Sequence, residues 1–579
     1  MSIRDEMRSW DGSTVAGVWL TGLAIGSLAA LTLGAHLWAL LAGVALSWNP
    51  WRILTDALAG RMRPAAGMWA CVALVAAAAA AVPAVPALRG RRRSGRRTRA
   101  DKAASLTGRA SQTEALSPQA ARAKARRLGV TGWAGLVIGR AVAGGRWLLS
   151  GLEDVCLVIA GPRTGKTTCW VVPRVLAARG AVVATSNKRD IVDSTRSRRS
   201  RRGEVLVFDP QGLADEPQAF WWNPLGYVTD AVSATAMVQV FVDSTRDATA
   251  QTNAYFDNAA RDLVASLLLA AAHAGRPITE VHRWLNDQTD REPVRLLRDA
   301  GEHMMAETLQ GQMALVPETR SGVYGSAATI MSFMLNERAM RWVTPNPLLP
   351  ELRPEEFVRG GGTLYCLSQE GRGSAAPVVT ALTVAVTEAA VDYARTQPGG
   401  RLSTPMLVEL DEAANVCRWR ELPDMYSHFG SRGILVDAVL QSWSQGVSAW
   451  GEAGMKKLWS AANVAVYGGG VKEKDFLASL SDLIGSHWKD SRQDTYSQQG
   501  TSRSVTRDSQ QRSIATAAEL GALPAGRAWV LASGCTPVLA RLIPFWETTE
   551  DNDDGRRAPT RPAAAGRRPA RPAAVRKDV

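Results

Sequence analysis

Hydrophobic and polar positions divide the chain into stretches of different texture. From Gly12 to Trp51 there is no Lys, Arg, Asp or Glu, and a second uncharged stretch runs from Pro64 to Leu88. Each exceeds the ~20 apolar residues that cross the hydrocarbon core of a bilayer. A secretory signal peptide has a shorter apolar core and no second one close behind it. The pattern predicts a tail at 1–12, a membrane helix over 13–47, a short loop at 48–63 and a second membrane helix over 64–88. Directly afterwards, "RGRRRSGRRTRADK" carries eight basic residues against one acidic. By the positive-inside rule that side is cytoplasmic, and two spans return the N-terminus to the same side. Arg52, Arg61 and Arg63 in the connecting loop weaken that asymmetry without reversing it. The expected location is the inner (cytoplasmic) membrane, multi-pass, with the soluble part in the cytoplasm.

Residues 89–127 are basic and rich in Ala and Ser with little periodicity, and read as a linker. Beyond them, short apolar runs alternate with helical spacing through 128–228 and 346–548: "AVVATS", "EVLVFD", "TLYCLS", "MLVEL", "ILVDAVL" and "NVAVYG". Such alternation predicts an α/β domain with a parallel sheet covered by helices on both faces. Between 229 and 345 the texture changes. "NAYFDNAARDLVASLLLAAAHAG" and "EPVRLLRDAGEHMMAETLQ" have apolar residues at helical spacing and no strand-like run, with Pro293 placed for a first helical turn. This predicts an all-helical insertion that divides the α/β domain into two parts. "SRQDTYSQQGTSRSVTRDSQQRS" reads as a polar, mobile excursion, and the Pro-, Ala- and Arg-rich 549–579 as a disordered tail.

Composition adds less. The net charge of +14 favours an anionic partner, nucleic acid or lipid. Six cysteines lie far apart with no CxxC pair, which excludes a disulfide framework and a zinc knuckle and fits a reducing compartment.

The chemistry is concentrated in two places. "DVCLVIAGPRTGKTTCW" sets an apolar strand before a glycine turn and a helix start. Ala160, Gly161, Pro162, Arg163, Thr164, Gly165, Lys166 and Thr167 fit the phosphate-binding loop, with Ala160 in place of its usual first glycine and Thr168 directly after it. There the glycines let backbone amides approach phosphate, Lys166 reaches the β- and γ-phosphates of ATP, and the Thr167 hydroxyl binds Mg²⁺. In "PMLVELDEAANV", Asp411 and Glu412 stand side by side where an apolar strand ends. An acidic helix cap would explain them. A phosphate loop elsewhere in the chain favours another reading, with Asp411 as a second Mg²⁺ ligand and Glu412 polarising the water that attacks the γ-phosphate. The run Arg196–Arg202 fits either a phosphate-backbone contact or a solvated basic loop.

From the first apolar stretch to about residue 548, the chain resembles the type IV coupling proteins, the TraG/TraD-like membrane ATPases of conjugative DNA transfer. The resemblance rests on "GPRTGKTT", "VFDPQG", "WWNPL", "DEAANV", "SRGILVDAVLQSWSQ" and "AAELGALPAGRAWVLASGCTPVLA" together. Ala413 departs from the aromatic residue usual after Asp-Glu. The resemblance implies a RecA-like P-loop domain in a homo-hexamer that hydrolyses ATP with Mg²⁺. Its substrate would be relaxase-bound DNA or a secreted protein, and its partners the components of a type IV secretion channel. It also implies that Gln441 senses the γ-phosphate and that Arg432 acts across a subunit interface. An FtsK-type double-stranded DNA pump is a competing reading, disfavoured by the disordered-looking tail where that family carries a winged-helix reader. A membrane receptor that binds nucleotide with little hydrolysis is the other.

Overall fold

The structure, a computed structural model, describes residues 28–59, 66–76, 99–245, 253–371, 374–496 and 503–548. The expected 1–12 and 549–579 tails lie outside them. The chain falls into two compact units, Met1–Arg97 and Thr98–Val579.

In the first unit, apolar helices Leu28–Ala42 and Ala66–Ala76 are each 10–17 residues long, with a further helix at Pro50–Leu58. The two apolar helices touch at Gly34, where a methyl group would fall 2.4 Å from the Val72 Cα. Among the described residues the only helix long and apolar enough to cross a membrane is elsewhere, at Ala376–Thr396, and 78% of its apolar window is buried. It is a core helix of the second unit. The helix expected over 13–47 ends at Ala42 and the loop expected at 48–63 carries the helix Pro50–Leu58, while residues 13–27, 64–65 and 77–88 of the two expected spans lie outside the described residues.

The second unit is built on one sheet. Its strands are β1 (Leu136–Ala141), β2 (Trp147–Ser150), β3 (Cys156–Ile159), β4 (Val182–Ser186), β5 (Val205–Phe208), β6 (Thr363–Leu367), β7 (Met406–Leu410), β8 (Ile434–Leu440) and β9 (Val464–Tyr467). β10 (Ser486–Tyr496) and β11 (Arg503–Ser513) form a separate hairpin, and β12 (Arg527–Ala532) and β13 (Val538–Arg541) complete the main sheet. Its order is β2-β1-β13-β12-β9-β3-β8-β7-β4-β6-β5. From β9 to β5 all neighbours are parallel, and from β9 outward to β2 all are antiparallel. Each apolar run read as a strand is one.

The parallel strands are continuously apolar because both faces are covered. Leu157, Val183, Val408 and Val436 face one core together with the helices of 231–343 and the helix Ala376–Thr396. Val158, Val182, Leu407 and Leu435 face another with Trp170, Val175 and Ile191. No strand interrupts 229–362 among the described residues.

Two expectations need correction. The basic stretch before 128 is not a bare linker: helices Arg99–Ala103 and Pro118–Arg127 form, Arg527 Nε donates to Asp101 at 2.8 Å, and Thr107 Oγ1 donates to the Pro537 carbonyl at 3.0 Å. Alanine periodicity carries too little contrast to reveal a helix anchored by single residues. The polar excursion is likewise no loop, because its backbone pairs over eleven positions from Ser486↔Ser513 to Tyr496↔Arg503. A strand without an apolar face leaves no alternation to read.

Candidate nucleotide-binding site

β3 is wholly buried as the central strand of the eleven-stranded sheet, between parallel neighbours β9 and β8, so the turn after it emerges at the carboxyl edge, where open α/β sheets place ligands. Arg163 (φ 61°) and Gly165 (φ 92°) adopt left-handed backbone, the kind of turn whose successive amides can form an anion-binding concavity. Gly161 is required: its N–H donates to the Gly469 carbonyl at 2.8 Å, and a Cβ there would fall 2.3 Å from the Gly470 oxygen. Ala160 is accommodated by a glycine opposite, since its methyl lies where a side chain on Gly468 would come within 2.9 Å. Thr164 Oγ1 closes the turn on the Gly161 carbonyl at 2.8 Å, and Thr168 Oγ1 donates to the Gly165 carbonyl at 3.3 Å. Pro162 and Arg163 are exposed on the rim. The chain then enters a π-helical turn, Thr167–Val171, and the helix Val172–Ala177.

β7 and β8 deliver the facing residues. Thr167 Oγ1 donates to Asp411 Oδ2 at 3.4 Å, Thr185 Oγ1 holds the Asp411 carbonyl at 3.1 Å, and Asp411 Oδ1 is buried without a partner. Burial pushes the Asp411 carboxyl up to about 7; Lys166 opposes the shift and Glu412 adds to it. An unpartnered buried carboxylate oxygen beside a threonine hydroxyl is the donor set a Mg²⁺ ion takes when phosphate oxygens supply the rest, so these residues fit the ion. The described residues hold no cluster of three His, Cys, Asp or Glu that would bind a metal without phosphate.

Glu412 stands at the N-cap position of the short helix Ala413–Val416 in left-handed backbone (φ 57°), but its side chain makes no capping bond. Instead its carboxylate pairs with the Lys166 ammonium and accepts both Gln441 Nε2 bonds, at 2.7 and 2.8 Å. Lys166, Thr167, Asp411, Glu412 and Gln441 thus converge from three non-consecutive segments. Arg432 does not join them. It caps the helix Leu422–Ser431, ahead of β8, whereas Gln441 follows β8, so the two residues lie at opposite edges of the sheet.

Two features escaped the sequence. Beneath the loop, Arg174 is fully buried, ion-paired with Asp437 (Nη2–Oδ1 2.9 Å) and bonded to Ser150 Oγ at 3.0 Å. Glu409 lies opposite Asp437 in the β7–β8 register, and burial with that neighbouring charge pushes its carboxyl well up. The signal was present as single acids inside "MLVEL" and "ILVDAVL". The arginine run, in turn, is largely structural. Arg199 donates to Thr363 Oγ1 (2.7 Å) and the Gly180 carbonyl (3.1 Å), Arg202 to the Ala178 carbonyl (2.7 Å), and Arg196 pairs with Glu216. The bonds to the Ala178 and Gly180 carbonyls hold the carbonyl end of the helix that follows the phosphate loop.

Residues 405–525 match the family model described as the TraM recognition site of TraD and TraG. This segment is of the TraG/TraD kind. The resemblance to coupling proteins read from the sequence is borne out. The TraG/TraD segment starts at the strand that carries Asp411 and Glu412 and takes in Gln441 and Gly470, that is, the wall facing the phosphate loop. Among solved structures, the fold is similar to the bacterial conjugative coupling protein TrwBdeltaN70 in its unbound monoclinic form (TM-score 0.51, 18% identity, covering 73% of this chain and 91% of that one). It is similar also to the plasmid coupling protein TrwB in complex with the GTP analogue GDPNP (TM-score 0.52, 17% identity, 73% and 92%). A third is TrwB in complex with ADP and Mg²⁺ (TM-score 0.51, 18% identity, 68% and 85%). At these identities the likeness is one of fold. No curated protein matches the chain.

Proposed function

We propose that the protein is a membrane-anchored coupling ATPase, which binds Mg²⁺·ATP at the Lys166 loop and uses its hydrolysis to drive relaxase-bound DNA, or a protein substrate, into a type IV secretion channel. The observation that carries this is the convergence of Lys166, Thr167, Asp411, Glu412 and Gln441 at the carboxyl edge of a parallel sheet. The similarity to TrwB, solved with ADP and Mg²⁺, supports the nucleotide. In this reading the loop amides and Lys166 hold the β- and γ-phosphates, and Thr167 and Asp411 hold Mg²⁺, which neutralises phosphate charge when bound. Lys166 exchanges its Glu412 partner for phosphate, and Glu412 then orients the attacking water and takes its proton, with Gln441 fixing its carboxylate. Arg432 serves a neighbouring subunit's γ-phosphate in a homo-hexamer, which accounts for its distance from the loop of its own chain.

Membrane anchorage is supported by the uncharged stretches 12–51 and 64–88 and by the helix contact at Gly34. The test is phosphate release by the full-length protein in detergent, alone and with single- or double-stranded DNA. DNA-stimulated release by wild type and none by Lys166→Ala supports the reading. Release unaffected by Lys166→Ala, or no release under any condition, overturns it.

A further inference from the structure

The helix Trp443–Ala461 begins at the carboxyl edge, and its first turn is tied to the segments that follow three strands, β7, β8 and β9. From the β9 side, the Glu473 carboxylate accepts the backbone N–H groups of Trp443 and Ser444, both at 3.0 Å. From the β8 and β7 sides, a single side chain does the work. Gln445 Oε1 accepts the Gln441 N–H at 2.8 Å, and Gln445 Nε2 donates to Asn415 Oδ1 at 2.7 Å. Asn415 in turn donates its own backbone N–H to the Glu412 carbonyl at 2.8 Å. A backbone N–H can only donate, so the Gln445 atom facing Gln441 is its oxygen. The other end must then be the donor, and Asn415 must present oxygen to it. The orientation of both amides is set by this chain of bonds alone.

We infer that Gln445 is a positioning residue for ATP hydrolysis: it clamps the turn that carries Gln441 to the turn that carries Glu412. Three observations meet in this assignment. Gln441 and Glu412 follow different strands, and their turns are linked through side chains: Gln441 to Glu412 directly, and Gln445 between the Gln441 N–H and Asn415. Glu412 stands in left-handed backbone (φ 57°), a conformation that a residue with a Cβ keeps only where its surroundings over-determine it. The Asn415 and Val416 N–H groups on the Glu412 carbonyl, with the Gln445 amide holding Asn415, are part of those surroundings, beside the Lys166 and Gln441 bonds to the carboxylate. Gln445 itself bonds neither Lys166 nor Glu412, so it acts through other residues. Asn415 also lines a cleft of about 670 Å³ between the helical insertion and the start of the helix Ala376–Thr396.

The inference rests on the ATPase reading above, and one set of measurements tells the two apart. Full-length wild type, Glu412→Gln, Gln445→Ala, Asn415→Ala, the Gln445→Ala/Asn415→Ala double variant and Gln445→Glu are compared for ATP affinity, kcat and melting temperature. Misplacing a reacting group by about 1 Å costs up to ~100-fold in rate, so Gln445→Ala and Asn415→Ala should each lower kcat by roughly ten- to hundredfold. ATP affinity should change little, because no loop contact is touched. The double variant should be no slower than the slower single one, since both break the same link. Gln445→Glu should recover most of the rate. Its carboxylate still accepts the Gln441 N–H, and a turned-over Asn415 amide then donates to it. Wild-type kcat in Gln445→Ala, or losses that multiply in the double variant, would overturn the clamp. So would a lower melting temperature with kcat per folded molecule intact. If Glu412→Gln hydrolyses as fast as wild type, the site assignment falls and the clamp with it. If Glu412→Gln is slow and Gln445→Ala is not, only the clamp falls.

Discussion

Glu412 shows how residue type and position combine at this site. Two adjacent carboxylates at a strand end repel and resist burial, yet Asp411 and Glu412 are 3% and 4% exposed. They separate by backbone conformation: the left-handed turn sends Glu412 to Lys166 and Gln441, while Asp411 stays beside Thr167. Lys166 and Thr167 were legible in the sequence from the glycine loop between a strand and a helix, and Asp411 and Glu412 as adjacent carboxylates at the end of an apolar strand. Arg174 and Asp437 were not, because 263 positions separate two residues that become partners only through the parallel register of β3 with β8. Breaking a buried ion pair by removing one partner leaves an uncompensated charge and costs ~3–5 kcal/mol. Asp437→Ala is therefore expected to lower unfolding stability by about that much, read by denaturant titration, with a larger effect than any change at the exposed Arg198 or Arg201.

At the scale of elements, contrast decides what can be read. Runs such as "TLYCLS" and "ILVDAVL" stand out between polar turns and become β6 and β8. The helix Ala376–Thr396 has the length and hydropathy of a membrane span but is buried in the second unit, so apolarity alone does not separate core from lipid. The β10–β11 hairpin and the anchored 99–127 stretch were illegible for the opposite reason: the hairpin has no apolar face, and the buried face of 99–127 is mostly alanine, as at Ala121 and Ala125. The three glycines after β9 carry a function that no hydrophobic pattern reveals, since the loop passes within van der Waals range of their backbone. Gly161→Ala would force a methyl onto the Gly470 oxygen at 2.3 Å, so the loop must shift. Strain of this kind is worth about 1–3 kcal/mol, and ATP affinity measured by titration should fall by roughly ten- to hundredfold. Gly226→Ala, with open space around it, should leave affinity unchanged.

For the whole molecule, the proposed assembly makes the site depend on two subunits. Arg432 lies at the edge of the sheet opposite its own loop, so its contribution, if it is a finger, goes to a neighbour. Arginine fingers contribute ~10³–10⁵ in rate, and Arg432→Ala should bind ATP yet hydrolyse very slowly. Glu412→Gln should be as slow for another reason. In a mixed hexamer, an Arg432→Ala subunit keeps its own Glu412 and borrows Arg432 from a Glu412→Gln neighbour. Mixing the two inactive proteins under subunit exchange is thus expected to restore part of the activity, and none returning from verified mixed hexamers would assign Arg432 to capping alone. Anchorage is open to an equally direct check: reporters fused at 56 and at 110 should report opposite sides of the membrane, and agreement between them would exclude the two-span topology.

The most direct measurement remains phosphate release by the purified full-length protein at saturating Mg²⁺·ATP, wild type beside Glu412→Gln, with ATP binding measured in both. General-base catalysis contributes ~10²–10⁴ in rate. Wild type should release phosphate, and Glu412→Gln should keep ATP bound while releasing phosphate at least ~100-fold more slowly. Equal release by the two proteins would contradict the assignment of Glu412, and with it the hydrolytic site built around Lys166.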